Sequence, residues 1–210
     1  HAGRGRLSTT GPTPLPPTTD PTGPLAHLVL VGLSGTGKST VAPLLAERQG
    51  VVAVDLDRLL EQRFGRPVAQ VFGEDGEPEF RRAEAELLAE VLVGPPAVVA
   101  TGGGAVLDPE SRRRLADAFV VWLSAPIDLL VRRLSDVAER RPLLTDDPAT
   151  ALRHMAAERD PLYREVADLV VDVARRSPEE IADVVGDVVD HATTGEPSRS
   201  SESGRSSDTN

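Results

Sequence analysis

The sequence lacks cysteine and contains a single lysine among its 210 residues. Without cysteine there can be no disulfide, no thiol redox chemistry and no thiolate-bound metal. The four histidines are scattered without the close spacing of zinc ligands, so we expect no zinc site. No run of eighteen apolar residues and no secretory leader is visible. We therefore expect no membrane partner and a cytoplasmic protein.

The charge balance limits the possible partners. A formal net charge of −10 argues against a nucleic-acid partner, because binding to a phosphate backbone needs a broad positive patch. Any anionic ligand must then be held by a local group of cations. A bias toward arginine explains the twenty-two arginines that accompany the one lysine. The remaining lysine, Lys38, indicates a position where a compact ammonium charge is required.

The chain is long enough for one well-buried core, and we do not expect a second full domain. Residues 1–24 are rich in Pro, Thr and Gly, and we interpret them as a disordered leader or as a segment of a longer chain. Residues 192–210 are dominated by Ser, Thr, Gly and charged residues, which predicts a disordered tail. This interpretation leaves one globular domain at residues 25–191.

Short β-branched runs alternate with helical patterns inside this domain. The five runs lie at 27–32, 51–56, 97–101, 118–123 and 168–173. Their near-continuous apolar character predicts strands that are buried on both faces. Residues 77–93 and 126–135 have helical periodicity and indicate crossover helices. The alternation predicts an α/β fold in which helices flank a five-stranded parallel sheet.

The strongest motif is GLSGTGKS at residues 32–39, which follows the first apolar run and opens a helical pattern. It is a complete P-loop, in which backbone amides wrap the phosphates, Lys38 reaches the β and γ oxygens, and the Ser39 hydroxyl can bind Mg²⁺. The motif predicts a bound nucleotide phosphate group together with Mg²⁺. The residues expected to hold the phosphates are Gly35, Thr36, Gly37, Lys38, Ser39 and Thr40.

A P-loop does not name a reaction, because switch GTPases, motors and small-molecule kinases all contain it. Guanine recognition in GTPases typically uses an Asn-Lys-x-Asp element. The only asparagine here is Asn210, and the only lysine already belongs to the P-loop. A Ras-like switch is therefore not expected.

Three further groups of residues follow the predicted strands or lie on a helix near them. Asp55 and Asp57 flank Leu56 at a strand end, where one carboxylate could hold Mg²⁺ through water and the other could contact a substrate hydroxyl. The alternative is that Asp57 caps the next helix. Arg81 and Glu84 share a helix face, which suits either a carboxylate-binding arginine or a surface ion pair.

The third group is Gly102, Gly103 and Gly104, which follow Thr101 at the end of another predicted strand. Three consecutive glycines indicate a tight turn or a close approach of backbone to ligand.

The ordered set of motifs resembles shikimate kinase over residues 27 to about 190. The set comprises the P-loop, Asp-x-Asp, Phe-Arg-Arg-x-Glu, Gly-Gly-Gly-Ala, Arg-Pro-Leu-Leu and Arg-x-Pro-Leu-Tyr. The resemblance implies a fold of the P-loop nucleoside monophosphate kinase type with a mobile lid at about residues 135–147. It also implies transfer of the ATP γ-phosphoryl group to the 3-hydroxyl of shikimate, giving shikimate 3-phosphate and ADP in aromatic amino-acid biosynthesis.

The same resemblance implies roles for individual residues. On the acceptor side it implies a carboxylate clamp of Arg81 and Arg159, with Glu84 holding Arg81 beside Phe80. The hydroxyls would be received by Asp57, Gly102, Gly103 and Gly104. Asp57 would also orient the attacking hydroxyl and accept its proton.

On the donor side, Ser39 and Asp55 would serve the metal, and Lys38 would act with Arg141 on the transferring phosphoryl group. Arg140 is the alternative to Arg141 in that role. The adenine side would be formed by Arg133, Arg176 and Pro178.

Two other functions are compatible with a P-loop domain. Another small-molecule kinase, such as a gluconate kinase, would not need the carboxylate clamp. A non-catalytic ATP-binding module would bind nucleotide without turnover. For the proposed kinase we expect shikimate and ATP as small-molecule substrates and a monomeric protein.

Overall fold

The computed structural model describes residues 27–135 and 147–194. The predicted leader, nearly all of the predicted lid and residues 195–210 lie outside them. The strands are β1 (Leu28–Val31), β2 (Val52–Asp55), β3 (Ala97–Ala100), β4 (Phe119–Ser124) and β5 (Leu169–Asp172). The helices are α1 (Lys38–Gln49), α2 (Leu56–Phe64), α3 (Val68–Glu74), α4 (Glu77–Val93), α5 (Pro109–Leu115), α6 (Ile127–Ser135), α7 (Pro148–Val166) and α8 (Pro178–Thr194).

The five strands form one parallel sheet in the order β2-β3-β1-β4-β5. The predicted α/β fold is confirmed, because each of the five apolar runs contains or overlaps one strand. The helix predicted at 77–93 is α4, and the one predicted at 126–135 is α6. None of the helices in the described ranges is long and apolar enough to cross a membrane. Helix α8 ends at Thr194, three residues beyond the predicted end of the domain.

Two apolar layers enclose the sheet. Side chains alternate along β1, so that Val29 and Val31 join one core cluster and Leu28 and Leu30 join the other. The first cluster packs the sheet against helices α2 to α7, and the second packs it against α1 and α8. All four β1 side chains are fully buried because this strand lies at the centre of the sheet.

The expectation that every strand is buried on both faces is wrong for β2 and β5. Both are edge strands, and Val52 and Val170 are 59% and 51% exposed. An edge strand has a neighbour on one side only, and the covering helices do not extend fully over it. Both runs are at least as rich in valine as the central ones, and although they also contain Asp55, Asp168 and Asp172, the apolar pattern did not identify them as edge strands.

The turn from β1 into the P-loop depends on a very close backbone contact. Gly32 has φ +137°, and a Cβ atom there would lie 2.4 Å from the Leu123 carbonyl oxygen of β4. This conformation and this contact are both closed to residues with a side chain. Within the loop, the Thr36 hydroxyl donates to the Leu33 carbonyl at 2.9 Å.

Replacing Gly32 with alanine should therefore strongly destabilise the protein. We expect G32A to lower the free energy of unfolding by about 3 kcal/mol, because a strand backbone would have to move and the φ angle is strained. Gly50 is the matched control, since it has φ +65° and a Cβ added there would meet no atom within 4 Å. G50A should cost about 1 kcal/mol for the φ angle alone. Urea denaturation of both variants measures the difference, and equal losses would contradict the close-contact explanation.

Candidate functional site

A cavity of about 420 Å³ opens at the carboxyl edge of the sheet, between the P-loop and the start of α8. Its lining contains every residue predicted from the sequence to bind the nucleotide, except Arg141. The lining residues are Ser34, Gly35, Thr36, Gly37, Lys38, Ser39, Thr40, Val41, Asp57, Thr101, Gly103, Arg133, Arg176, Pro178 and Ile181. Arg141 and its alternative Arg140 lie outside the described residues.

The P-loop half of the cavity is suited to an anion. Helix α1 begins at Lys38, and its N-cap Gly37 has no side chain to occupy the first amides of the helix. Those amides and the helix dipole favour negative charge at this end. Lys38 is buried and donates from Nζ to the carbonyls of Gly32, at 2.7 Å, and Leu33, at 3.0 Å. These two carbonyls are neutral, so they hold the ammonium group in place without cancelling its charge.

Two arginines line the same cavity in a similar way. Arg133 of α6 donates to the Gly35 carbonyl at 3.0 Å, and Arg176 donates to the Asp172 carbonyl at 2.7 Å. Arg176 and Pro178 belong to the segment that leads from β5 into α8. The structure thus brings both arginines and Pro178 to the wall of the cavity.

The three glycines after β3 lie against a second group of functional side chains, Asp57, Arg81 and Glu84. A Cβ at Gly102 would lie 2.2 Å from Glu84 Oε1 and 3.0 Å from Asp57 Oδ1. A Cβ at Gly104 would lie 2.2 Å from Arg81 Nη1. The two carboxylates and the guanidinium therefore converge on this loop, and they can do so only because the loop has no side chains.

Arg81 lies in an apolar and anionic setting. Its Nη1 is 2.5 Å from Glu84 Oε2, and its Nε is 3.3 Å from Glu77 Oε1. The rings of Phe72 and Phe80 each have their centroid 5.3 Å from the guanidinium carbon. Planar ring faces and a rigid acidic partner fix the plane of the guanidinium. Because Glu84 is buried and Arg81 is only 21% exposed, this pair fits a carboxylate-binding arginine better than a surface ion pair.

Glu84 is only 2% exposed, and its Oε1 forms no hydrogen bond within residues 27–135 and 147–194. Burial raises the pKa of this carboxyl above its ordinary value, although Arg81 acts in the opposite direction, and the nearby Asp57 adds to the increase. This oxygen lies against the backbone of Gly102 at the start of the glycine loop.

Arg159 reaches the same loop from α7. Its Nη1 donates to the Gly103 carbonyl at 3.3 Å, and its side chain is 13% exposed. The Tyr163 hydroxyl donates to the same carbonyl. Gly103 also lines the main cavity, so the loop joins the arginine and carboxylate group to the P-loop.

Asp55, at the end of β2, and Asp57, in the first turn of α2, differ in their roles at the start of the helix. Asp55 is the N-cap of α2 and accepts a hydrogen bond from the Arg58 amide at 3.2 Å. Asp57 lies in the first turn and lines the cavity. The alternative that Asp57 is the cap is wrong, because the β-region backbone required of a cap is reached one residue before the helix begins, at Asp55.

The sequence assigned no role to Tyr163, Phe72, Thr101 or Ile181, although Tyr163 and Thr101 stand in or beside the quoted motifs. Tyr163 follows Arg159 by four positions, so helical spacing places the two on one face and could have revealed it. Phe72 comes from α3, a separate short helix, and no local pattern links it to Arg81. Thr101 donates from its hydroxyl to Leu30 at 3.0 Å and lines the cavity as the residue before the glycines.

Comparison with known proteins agrees with this arrangement. The shikimate kinase family model matches residues 34–190. The chain belongs to the shikimate kinase family. A shikimate kinase from Symbiobacterium thermophilum is 46% identical over 167 residues, which are 78% of this chain and 94% of that protein. A shikimate kinase from Acinetobacter baumannii, solved in complex with shikimate, has a TM-score of 0.76 at 34% identity and covers 79% of this chain and 93% of its own.

A gluconokinase from Sinorhizobium meliloti also shares the fold. It has a TM-score of 0.51 at 18% identity and covers 82% of this chain and 95% of its own. At that identity the likeness is one of fold alone. The match to the shikimate kinase family model and the identity with the Symbiobacterium protein confirm the sequence resemblance to shikimate kinase.

The buried carboxyl of Glu84 should make stability depend on pH. Because its folded pKa is above the ordinary value of 4.5, the folded state binds the proton more tightly than the unfolded state. The free energy of unfolding should then fall as the pH rises from about 4.5 through the folded pKa. E84Q should flatten this part of the stability curve.

Urea titrations at several values between pH 4.5 and 7.5 measure the slope. E86Q is the control, because Glu86 lies on the exposed face of the same helix and pairs with Arg82 at 2.6 Å. A slope that is unchanged in E84Q, or changed equally in E86Q, would show that Glu84 is not the group responsible.

Proposed function

We propose that this protein is a shikimate kinase, which transfers the γ-phosphoryl group of ATP to the 3-hydroxyl of shikimate and releases shikimate 3-phosphate and ADP. The observation that carries the proposal is the loop Gly102, Gly103 and Gly104. On one side it lines the P-loop cavity, and on the other it meets Arg81, Glu84 and Arg159. A phosphate donor site and a carboxylate-binding acceptor site thus share one short segment of backbone.

On the donor side, Lys38 and the amides of residues 35–40 hold the β and γ phosphates. Arg133 and Arg176 add positive charge on the walls of the same cavity. Pro178 and Ile181 provide an apolar surface at the start of α8, where the adenine lies. Arg141 is proposed to reach the transferring phosphoryl group.

Magnesium fits the oxygen donors of this edge. The described residues contain no cluster of three or more acidic or histidine side chains that would form an all-protein metal site. Mg²⁺ in kinases is instead bound by one or two side chains together with substrate phosphates and water. Ser39 lines the cavity, whereas Asp55 caps α2 through Oδ1 and is not among the lining residues, so its proposed role is limited to accepting through Oδ2 from a metal-bound water. When bound, the ion neutralises charge that develops between the β and γ phosphates.

On the acceptor side, Arg81 and Arg159 bind the shikimate carboxylate. Glu84 is buried and close to Arg81, so it stays in place and holds the guanidinium. Glu77 is 58% exposed and 3.3 Å away, so it is the partner that an incoming carboxylate replaces. Exposed ion pairs contribute little free energy, and exchanging this one for a better-aligned carboxylate is favourable.

Asp57 lies between the two halves of the site, on the cavity wall and beside Gly102. It orients the 3-hydroxyl of shikimate and accepts its proton. The hydroxyl oxygen forms a bond to the γ phosphorus while the bond from that phosphorus to the β–γ bridging oxygen breaks, and ADP leaves with the electron pair. The protein contributes mainly alignment and positive charge, which is what phosphoryl transfer requires.

The other candidate functions are less well supported by this site. A gluconate kinase does not need two arginines, Arg81 and Arg159, held against the acceptor loop. A non-catalytic module does not need the buried Glu84 or Asp57 beside the phosphate site. The monomeric state and the cytoplasmic location stay predictions from the sequence.

A coupled assay of ADP release with and without shikimate tests the function directly. We expect release to depend on shikimate and a phosphorylated product to be detectable by mass spectrometry. K38A should abolish turnover, because Lys38 supplies charge at the phosphates. ADP release that is independent of shikimate in the wild type, or turnover retained in K38A, would show that the assignment is wrong.

The acceptor assignment is tested by Arg81→Lys, which keeps the charge and loses the planar fork. We expect kcat/KM for shikimate to fall about ten- to hundredfold, corresponding to roughly 1.5 to 3 kcal/mol for a charge-assisted pair. KM for ATP should stay near that of the wild type. R82K is the control, since Arg82 is the neighbouring residue, is 58% exposed and pairs with Glu79 and Glu86. A loss of ATP affinity in R81K, or an equal loss in R82K, would contradict the role of Arg81.

A further inference from the structure

Tyr163 is the only tyrosine of the chain, and it is 1% exposed. Its hydroxyl donates to the Gly103 carbonyl, which also accepts from Arg159 at 3.3 Å. Both side chains come from α7 and are one helical turn apart. One carbonyl oxygen of the glycine loop is therefore held by two donors from the same helix.

The position of Gly103 gives this contact its importance. A Cβ at Gly103 would lie 3.4 Å from the Ser34 amide nitrogen and 3.5 Å from the Gly32 carbonyl oxygen. The peptide is thus packed against the P-loop on one side and tied to α7 on the other. A shift of this loop would change the distance between the proposed acceptor residues, Arg81, Glu84 and Arg159, and the P-loop.

The geometry of a trans peptide extends the effect to the next residue. The carbonyl of one residue and the amide of the next point in opposite directions across a planar unit. Fixing the Gly103 carbonyl toward α7 therefore fixes the direction of the Gly104 amide as well. Gly104 is the residue that faces the Arg81 guanidinium.

The tyrosine is itself well held. Its ring lies 5.8 Å from the ring of Trp122, centroid to centroid, on the adjoining strand β4. Burial raises the pKa of the hydroxyl above its ordinary value of 10.0. It consequently remains protonated, and remains a hydrogen-bond donor, throughout the neutral range.

We infer that Tyr163 is a positioning residue of the kinase. Its hydroxyl holds the Gly103 carbonyl and thereby sets the distance between the loop of Gly102, Gly103 and Gly104 and the P-loop. This inference rests on the proposed function. It assigns Tyr163 no contact with either substrate and makes its effect one of alignment. Misplacement of reacting groups lowers the rate of the chemical step more than it lowers binding.

Tyr163→Phe removes only the hydroxyl and keeps the ring against Trp122. We expect kcat with shikimate to fall about tenfold, the size of one hydrogen bond in rate terms, with KM for ATP unchanged. The thermal midpoint should stay close to that of the wild type, because Arg159 still donates to the carbonyl. Hydrogen exchange of a peptide covering residues 101–107 should be faster in the variant, and this readout does not depend on activity.

Arg164→Ala is the matched control. Arg164 is the next residue of α7, lies on its exposed side and contacts the ring of Trp122, with 5.2 Å from the guanidinium carbon to the ring centroid. The control disturbs packing between α7 and β4 without touching the Gly103 carbonyl. It should leave kcat and the exchange of residues 101–107 unchanged.

The outcomes separate the two proposals. Wild-type kcat in Y163F, or equal losses in R164A and Y163F, would show that Tyr163 only packs, and the inference would be wrong while the function stands. A lowered thermal midpoint with unchanged kcat would also show that the residue only packs. If the wild type does not phosphorylate shikimate, the proposed function is wrong and the positioning role falls with it.

Discussion

The close approach of backbone segments at the carboxyl edge of the sheet is the constraint on which the site depends. Gly32 lies against the Leu123 carbonyl, and Gly103 lies against the Ser34 amide. A parallel sheet brings the ends of β1, β3 and β4 to one edge, and only glycine lets the chain after β1 turn so closely against β4 at Gly32. The P-loop and the loop of Gly102, Gly103 and Gly104 are neighbours at this edge, and the lack of side chains at Gly102 and Gly104 makes room for Glu84 and Arg81.

That crowded edge also determines how the positive charges are held. The protein is acidic overall, yet Lys38, Arg133, Arg176 and Arg159 all donate to main-chain carbonyls near the site. Arginines on the outer surface behave differently, as Arg82 shows by pairing with two glutamates. A neutral carbonyl orients a cation without adding a negative charge of its own.

Local patterns predicted much of this architecture. The apolar runs located five strands, and the P-loop motif located the phosphate site, because both signals come from residues adjacent in sequence. The exposure of β2 and β5 could not be predicted, since it depends on strand order, which the runs do not contain. The cap at Asp55 and the ring of Phe72 beside Arg81 also depend on contacts or boundaries that no single segment specifies. The family resemblance supplied the acceptor residues, and the structure brings those that it describes together.

Arg81 is the exception among the cations of the site, because its closest partner is a carboxylate. The guanidinium lies beside the paired rings of Phe72 and Phe80, with its side chain 21% exposed, and an unpaired charge in such a place is costly. Glu84 offsets that cost, but it is itself buried, and its second oxygen is left without a hydrogen bond from the described residues. Removing Arg81 would leave the buried Glu84 carboxylate without its ion pair, whereas removing Glu84 would leave Arg81 partly exposed and still paired with Glu77. The pair is thus both a binding element and a structural one, and substitutions that conserve charge, such as lysine for arginine, separate the two roles.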